Sequence, residues 1–163
     1  MLIKGYGLFM KDVSDYPGGG APSGWARIPA IRHAMSTYKY SEYFWYLDQD
    51  AIIMNPSLSI ESHILSPLNT LIRRDVPIVP PDSVIRTYRH TPPQRIQFII
   101  SQDKTGLQPG SMIAKSGDWA NYLLDAWYDP MFRFYNFAKA EQNALVQIPP
   151  PIISRQSGHA LVL

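Results

Sequence analysis

Tyr43-Phe44-Trp45-Tyr46-Leu47-Asp48-Gln49-Asp50 is the stretch on which the reading of this chain turns. An unbroken run of aromatic and aliphatic residues leads straight into two carboxylates separated by Gln49. A continuous apolar run of this length suits a strand buried on both faces. Uncompensated charge is costly inside such a core, so the carboxylates belong at the C-terminal end, where the strand emerges. In open α/β sheets ligands bind outside the carboxyl ends of strands. Residues i and i+2 of an extended segment point the same way. Hard carboxylate oxygens suit Mn²⁺ or Mg²⁺. Asp48 and Asp50 are therefore candidates to hold a divalent cation against a nucleotide diphosphate. The plainer reading is a solvated turn at a strand end, and residue chemistry alone leaves both open.

Working outward, residues 1–10 read as an early strand ending in Leu8-Phe9-Met10, and Asp15 to Ser23 as a Pro/Gly loop. A helix is expected from about Ile28 to Tyr38. Pro29 fits its first turn, and Ile28, Ile31, Met35 and Tyr38 lie on one face. Asn55-Pro56 marks a turn, and Ile60 to Leu65 a short helix. Val76 to Val79 reads as a strand stopped by Pro80, Ile96 to Ile100 as a second buried strand, and Gly110 to Lys115 as a third. Asp118 is an N-cap candidate for a helix over 119–128, where Trp119, Tyr122, Leu123, Ala126 and Trp127 recur at helical spacing. A last helix spans roughly Phe137 to Val146. Strands alternating with helices predict an α/β domain.

The chain has 163 residues, enough for one domain with a real core. Its hydrophobic share of 45% and charged share of 17% mark it as globular. A net charge of +2 without a dense Lys/Arg stripe gives no support to nucleic-acid binding. The absence of cysteine rules out disulfides and thiolate metal sites. No run approaches the 18 or so apolar residues of a membrane span, and the first residues do not read as a signal peptide. Gly-x-Ser-x-Gly, Walker and His-Glu-x-x-His patterns are missing, so hydrolase and P-loop readings have nothing to stand on.

Other residues carry weaker signals. Gln102 and Asp103 end the second buried strand, where Asp103 is either a sugar-orienting carboxylate or a turn residue. In Gly106-Leu107-Gln108-Pro109-Gly110-Ser111 the glycines permit close approach of backbone to a ligand, as they do in any hairpin. Glu141-Gln142 on the last helix reads first as a solvated face. Trp25 and Arg27 flank the first helix, and an arginine there is able to meet a phosphate or to lie on the surface. The four histidines, His33, His63, His90 and His159, show no metal-ligand spacing.

In order along the chain, Trp25-Ala26-Arg27-Ile28-Pro29-Ala30-Ile31-Arg32, Trp45 to Pro56, Ser101-Gln102-Asp103-Lys104-Thr105-Gly106-Leu107, Gly110-Ser111-Met112, Leu124 to Pro130 and Ala140-Glu141-Gln142-Asn143-Ala144-Leu145 resemble the fungal galactosyl/mannosyltransferase family, glycosyltransferase family 34. Within it the set is most similar to the α-1,6-mannosyltransferase subunits of mannan polymerase II. The resemblance covers about residues 1–148 of a single, partial catalytic domain over 1–163. It implies a GT-A-like, Rossmann-like fold and a retaining, Mn²⁺-dependent transferase in the Golgi membrane, with its catalytic domain lumenal and acting in a multi-subunit complex. Asp48 and Asp50 would be its metal-binding Asp-x-Asp. Asp103, Glu141 and Gln142 would be catalytic, and Trp25, Arg27, Gln102, Gln108, Gly110 and Ser111 would bind donor or sugar.

The implied function is transfer of mannose from GDP-mannose to a mannan or N-glycan acceptor in α-1,6 linkage. The alternatives are an α-1,2-galactosyltransferase using UDP-galactose, or an inactive fragment or scaffold subunit of the same family. Departures from the family pattern motivate the last. Gln108-Pro109 stands where asparagine is common, Pro150-Pro151 replaces a His-Pro pair, and the family's later metal-binding histidine has no counterpart context around His159.

Overall fold

The structure, a computed structural model, describes residues 5–16, 18–148 and 159–162. Its centre is a four-stranded sheet of β1 (Tyr43–Leu47), β2 (Ile96–Asp103), β3 (Gly106–Lys115) and β4 (His159–Val162), in the order β1-β3-β2-β4. The helices are α1 (Arg27–Thr37), α2 (Leu68–Leu71), α3 (Asp118–Trp127), α4 (Pro130–Phe134) and α5 (Ala140–Gln147). The α/β expectation holds as a mixed architecture. Its sheet is largely antiparallel, however: β3 runs against both β1 and β2, and only β4 pairs in parallel, with β2.

β1 is not buried on both faces. It lies at a sheet edge, with Tyr43 exposed and the other four residues half-buried. Phe44 and Tyr46 pack on the main core, while Trp45 turns to a second cluster on the other face. The main core joins β2 and β3 to α1, α3 and α5 through Trp25, Ile28, Phe98, Met112, Leu124 and Trp127, all at most 2% exposed. α3 presents Ala120, Leu123, Leu124 and Trp127 to this core. That is an i, i+3, i+4, i+7 stripe, rotated from the expected one, so Tyr122 is left 52% exposed.

Several boundaries move. β2 continues to Asp103 and β3 starts at Gly106, because Lys104-Thr105 forms the two-residue turn of a hairpin and Gly106 follows it at φ +118°. Residues 5–10 carry no strand, and Val76 to Val79 contributes only an isolated bridge, Pro77 to Arg86. The N-cap of α3 is Gly117, and Asp118 is the first helical residue. α1 opens at Arg27, and Pro29 falls in its first turn, whose N–H groups have no helical acceptor anyway. The last helix is shorter than expected, opening at Ala140 rather than near Phe137, because the backbone turns through positive φ at Asn136 (+58°) and Ala140 (+39°). Pro150 and Pro151 lie outside the described residues. Among the described residues no helix is long and apolar enough to cross a membrane.

The register positions the site. Leu47 faces Ser111 across β1 and β3, and Asp103 faces Gly106 across β2 and β3. The C-terminal ends of β1 and β2 therefore share one edge of the sheet. The β2–β3 ladder shifts register after Ile100, beside Pro109, which has no N–H to donate and is tolerated in a strand at such an irregularity. Gly110 then accepts a hydrogen bond from the Asp48 N–H at 2.9 Å.

Candidate active site at the end of strand β1

Three elements meet at that edge. Alternation along β1 puts Tyr46 and Asp48 on one side, and the Tyr46 hydroxyl donates to Asp48 Oδ1 at 2.6 Å. From the start of α1, Arg27 Nη2 lies 3.4 Å from Asp48 Oδ2 and 3.3 Å from Glu141 Oε1, the latter on the first turn of α5. The guanidinium also sits 5.6 Å from the centre of the Tyr46 ring, within cation–π range. Its Nε–H is anchored on the Gly24 carbonyl at 3.0 Å.

Glu141 is 7% exposed, one of two buried polar residues of the described chain. A solvated helix face is therefore not its role. Its position is held from behind: the fully buried Trp127 donates its indole N–H to the Glu141 carbonyl at 2.8 Å. In front, Gly24 leaves room for the carboxylate, since a β-carbon there would stand 2.5 Å from Glu141 Oε2. Gly110 plays a milder version of the same part, because its missing β-carbon would lie 3.0 Å from Asp48 Oδ2. Burial, and then donation to Asp48, raise the Tyr46 hydroxyl far above the usual tyrosine range. It therefore stays a donor throughout the neutral range.

The other expected residues fall into two groups. Asp103 lies at the same sheet edge but serves its own hairpin: Oδ1 accepts from the Thr105 N–H at 2.6 Å and the Thr105 hydroxyl at 2.7 Å. Those bonds, hydroxyl first, hold its carboxyl below the ordinary value. Gln108 Nε2 donates to the Thr105 hydroxyl, and Lys139, just before α5, reaches the Thr105 carbonyl at 3.4 Å. The hairpin is thus tied to the helix that carries Glu141. Gln142 on α5 is half-buried, and its side chain makes no hydrogen bond among the described residues.

The second group is committed elsewhere. The Gln102 amide donates to the carbonyls of Pro77 and Ile78, both at 2.7 Å. The Ser111 hydroxyl accepts from the Trp45 indole, whose ring packs on the opposite cluster. Trp25 is 1% exposed and belongs to the core. Asp50 is not among these: it stands exposed in the turn closed by the Ala51 N–H to Asp48 carbonyl bond of 3.0 Å. Tyr46 and Gly24 were not singled out by sequence. Tyr46 hid inside an apolar run, although its place two residues before Asp48 was a usable signal.

Asp48 and Asp50 supply hard oxygen ligands of the kind Mg²⁺ or Mn²⁺ takes alongside water and phosphate oxygens. No group of three or more His, Cys, Asp or Glu side chains gathers to hold a metal among the described residues. Two carboxylates would leave the remaining positions of such an ion to water and substrate oxygens. Arg27, Asp48, Asp50 and Glu141 carry a formal net charge of −2, which complements a divalent ion.

Residues 2–150 match the model of the galactosyl transferase GMA12/MNN10 family. A Schizosaccharomyces pombe protein named as an uncharacterized α-1,2-galactosyltransferase is 32% identical over 94% of this chain and 44% of its own length. A probable α-1,6-mannosyltransferase, MNN10, of Saccharomyces cerevisiae is 33% identical over 78% of this chain and 33% of its own length. A Schizosaccharomyces pombe α-1,2-galactosyltransferase is 31% identical over 74% of this chain and 34% of its own length. The chain thus spans less than half the length of these relatives, and no solved structure matches it. With 149 of its 163 residues inside the family model, the chain belongs to the galactosyl transferase GMA12/MNN10 family.

Proposed function

We propose that the protein is a metal-dependent hexosyltransferase that moves mannose from GDP-mannose to a mannan or N-glycan acceptor in α-1,6 linkage, with retention. The observation that carries this reading is the Arg27–Asp48–Glu141 cluster at the strand-end edge, in a chain of this family. Asp48 and Asp50 would hold Mn²⁺. The bound ion supplies Lewis-acid neutralisation of the departing diphosphate.

The protein's own residues do the rest. Tyr46 and Arg27 fix both oxygens of Asp48, so the carboxylate meets its ligand already oriented. Arg27 spreads one positive charge over the carboxylates of Asp48 and Glu141 and would give the diphosphate a cation to approach. Glu141 and Gln142 present a carboxylate and an amide to the reacting sugar, and Asp103 holds the hairpin that borders it. Among the described residues none is marked by its geometry as a double-displacement nucleophile. Placement in the Golgi membrane within a multi-subunit complex belongs to the same proposal.

A second reading changes only the donor, to UDP-galactose with α-1,2 linkage. Similar identities to relatives named for each activity favour neither donor. The test is transfer of hexose from GDP-mannose and from UDP-galactose to an α-mannoside acceptor. The Asp48→Asn/Asp50→Asn protein is expected to lose at least about a hundredfold in rate, in line with the cost of misplacing a substrate. Transfer at the parent rate by that variant sinks the metal-site assignment.

A further inference from the structure

An aromatic pocket lies beside the charged cluster and has no part in it. Its volume is about 200 Å³, and Trp25, Phe132, Phe134 and Phe137 line it with Arg133 and Asn136. The pocket adjoins the cluster along two separate stretches of chain. Trp25 follows Gly24, the residue packed on the Glu141 carboxylate, and Ala140, also in the lining, precedes Glu141.

The lining is of two kinds. Phe132 and Phe137 stand with ring centres 6.3 Å apart, and Phe134 keeps 63% of its surface in water. Such rings gain when an apolar face covers them. Arg133 is the polar counterpart. Its guanidinium stacks 4.3 Å from the Tyr128 ring centre and 5.4 Å from that of Phe134. Only its Nε–H is engaged among the described residues, with the Tyr128 carbonyl at 3.1 Å. The fork is thus held flat with its terminal N–H groups available, a geometry suited to neighbouring oxygens. Gly19 and Gly20, at φ +60° and +94°, add a stretch of lining without side chains.

Aromatic rings beside a flat donor fork match a molecule with an apolar C–H face and a rim of vicinal hydroxyls. A nucleotide diphosphate instead needs cations facing its phosphates, and among the described residues Arg133 is the one charged side chain in the lining. We propose that this pocket is the subsite for a hexopyranose unit of the acceptor glycan. The identity of that ligand as acceptor rests on the hexosyl-transfer reading above; the binding of a pyranose does not.

Saturation-transfer NMR on the full chain, with methyl α-mannopyranoside and an α-1,6-mannobiose as probes, tests it. Saturation is expected to reach the sugar ring protons. Affinity is expected to fall about tenfold in Phe134→Ala, a 1.4 kcal/mol loss, and to be retained in Phe134→Tyr, which keeps the ring. Phe134 is exposed, so neither change threatens the core. In transfer assays Phe134→Ala should raise the acceptor KM and leave the donor KM unchanged. Absence of saturation transfer to both sugars, or equal binding by Phe134→Ala, overturns the subsite. Glycan binding that persists in an Asp48→Asn protein unable to transfer hexose supports the pocket, even as it leaves the donor identity to other tests.

Discussion

Replacing Arg27 with methionine is expected to destabilise the protein by about 3 kcal/mol and to abolish hexose transfer. Methionine keeps an unbranched apolar stem of similar reach, so little packing is lost beside Tyr46. What disappears is the cation that sits 3.3 Å from Glu141 and 3.4 Å from Asp48. Removing one partner of a buried ion pair costs about 3–5 kcal/mol, because the other charge is left without compensation. The low end applies here, since the Asp48 side chain keeps 28% of its surface. Denaturant titration measures the loss. The companion variant Arg27→Met/Glu141→Gln should recover about 1–2 kcal/mol of it, as expected for directly coupled groups. A double variant no more stable than Arg27→Met would show that the destabilisation arises elsewhere.

Gly24→Ala should damage activity less completely and cost less stability. The added methyl would stand 2.5 Å from Glu141 Oε2, 2.6 Å from Oε1 and 2.7 Å from Cδ. Both carboxylate oxygens must move, and the Arg27 pair moves or breaks with them. A displacement near 1 Å at a reacting group is worth about a hundredfold in rate, and that is the expected loss. Stability should fall by about 1–2 kcal/mol, the usual range for a weakened charged hydrogen bond. Circular dichroism should be unchanged, because Gly24 precedes α1 in a short turn of the Ser23–Ala26 segment. Parent-level transfer by Gly24→Ala would mean that the position of Glu141 is immaterial to the reaction.

The elements that sequence reveals best are those whose signal is local. The α1 stripe of Ile28, Ile31 and Met35 carries its own periodicity and β1 and β2 their continuous apolar runs, and each lies within a few residues of its expected place. The partner of β1 was not legible, because pairing is decided by long-range register. An apolar run reads the same in a central parallel strand and in an edge strand whose faces are half-covered by two clusters. The site shows the same division. Asp48 announces itself by its place after the run. Glu141 does not, since an acidic residue in a first helical turn is ordinarily solvated, and only the convergence of Arg27, Gly24 and Trp127 buries it. Gln102 and Ser111 went the other way: their polar groups were taken up by a loop and by an indole.

On the proposed reading the end of β1 is a metal-assisted sugar-nucleotide site. Calorimetric titration of GDP-mannose into the folded chain, with and without Mn²⁺ and with UDP-galactose as comparator, tests it most directly. Binding of one of the two donors is expected to require Mn²⁺ and to be lost in Asp48→Asn/Asp50→Asn. A folded chain that binds neither donor with Mn²⁺ present, or binds one equally well without the ion and in that variant, would contradict it.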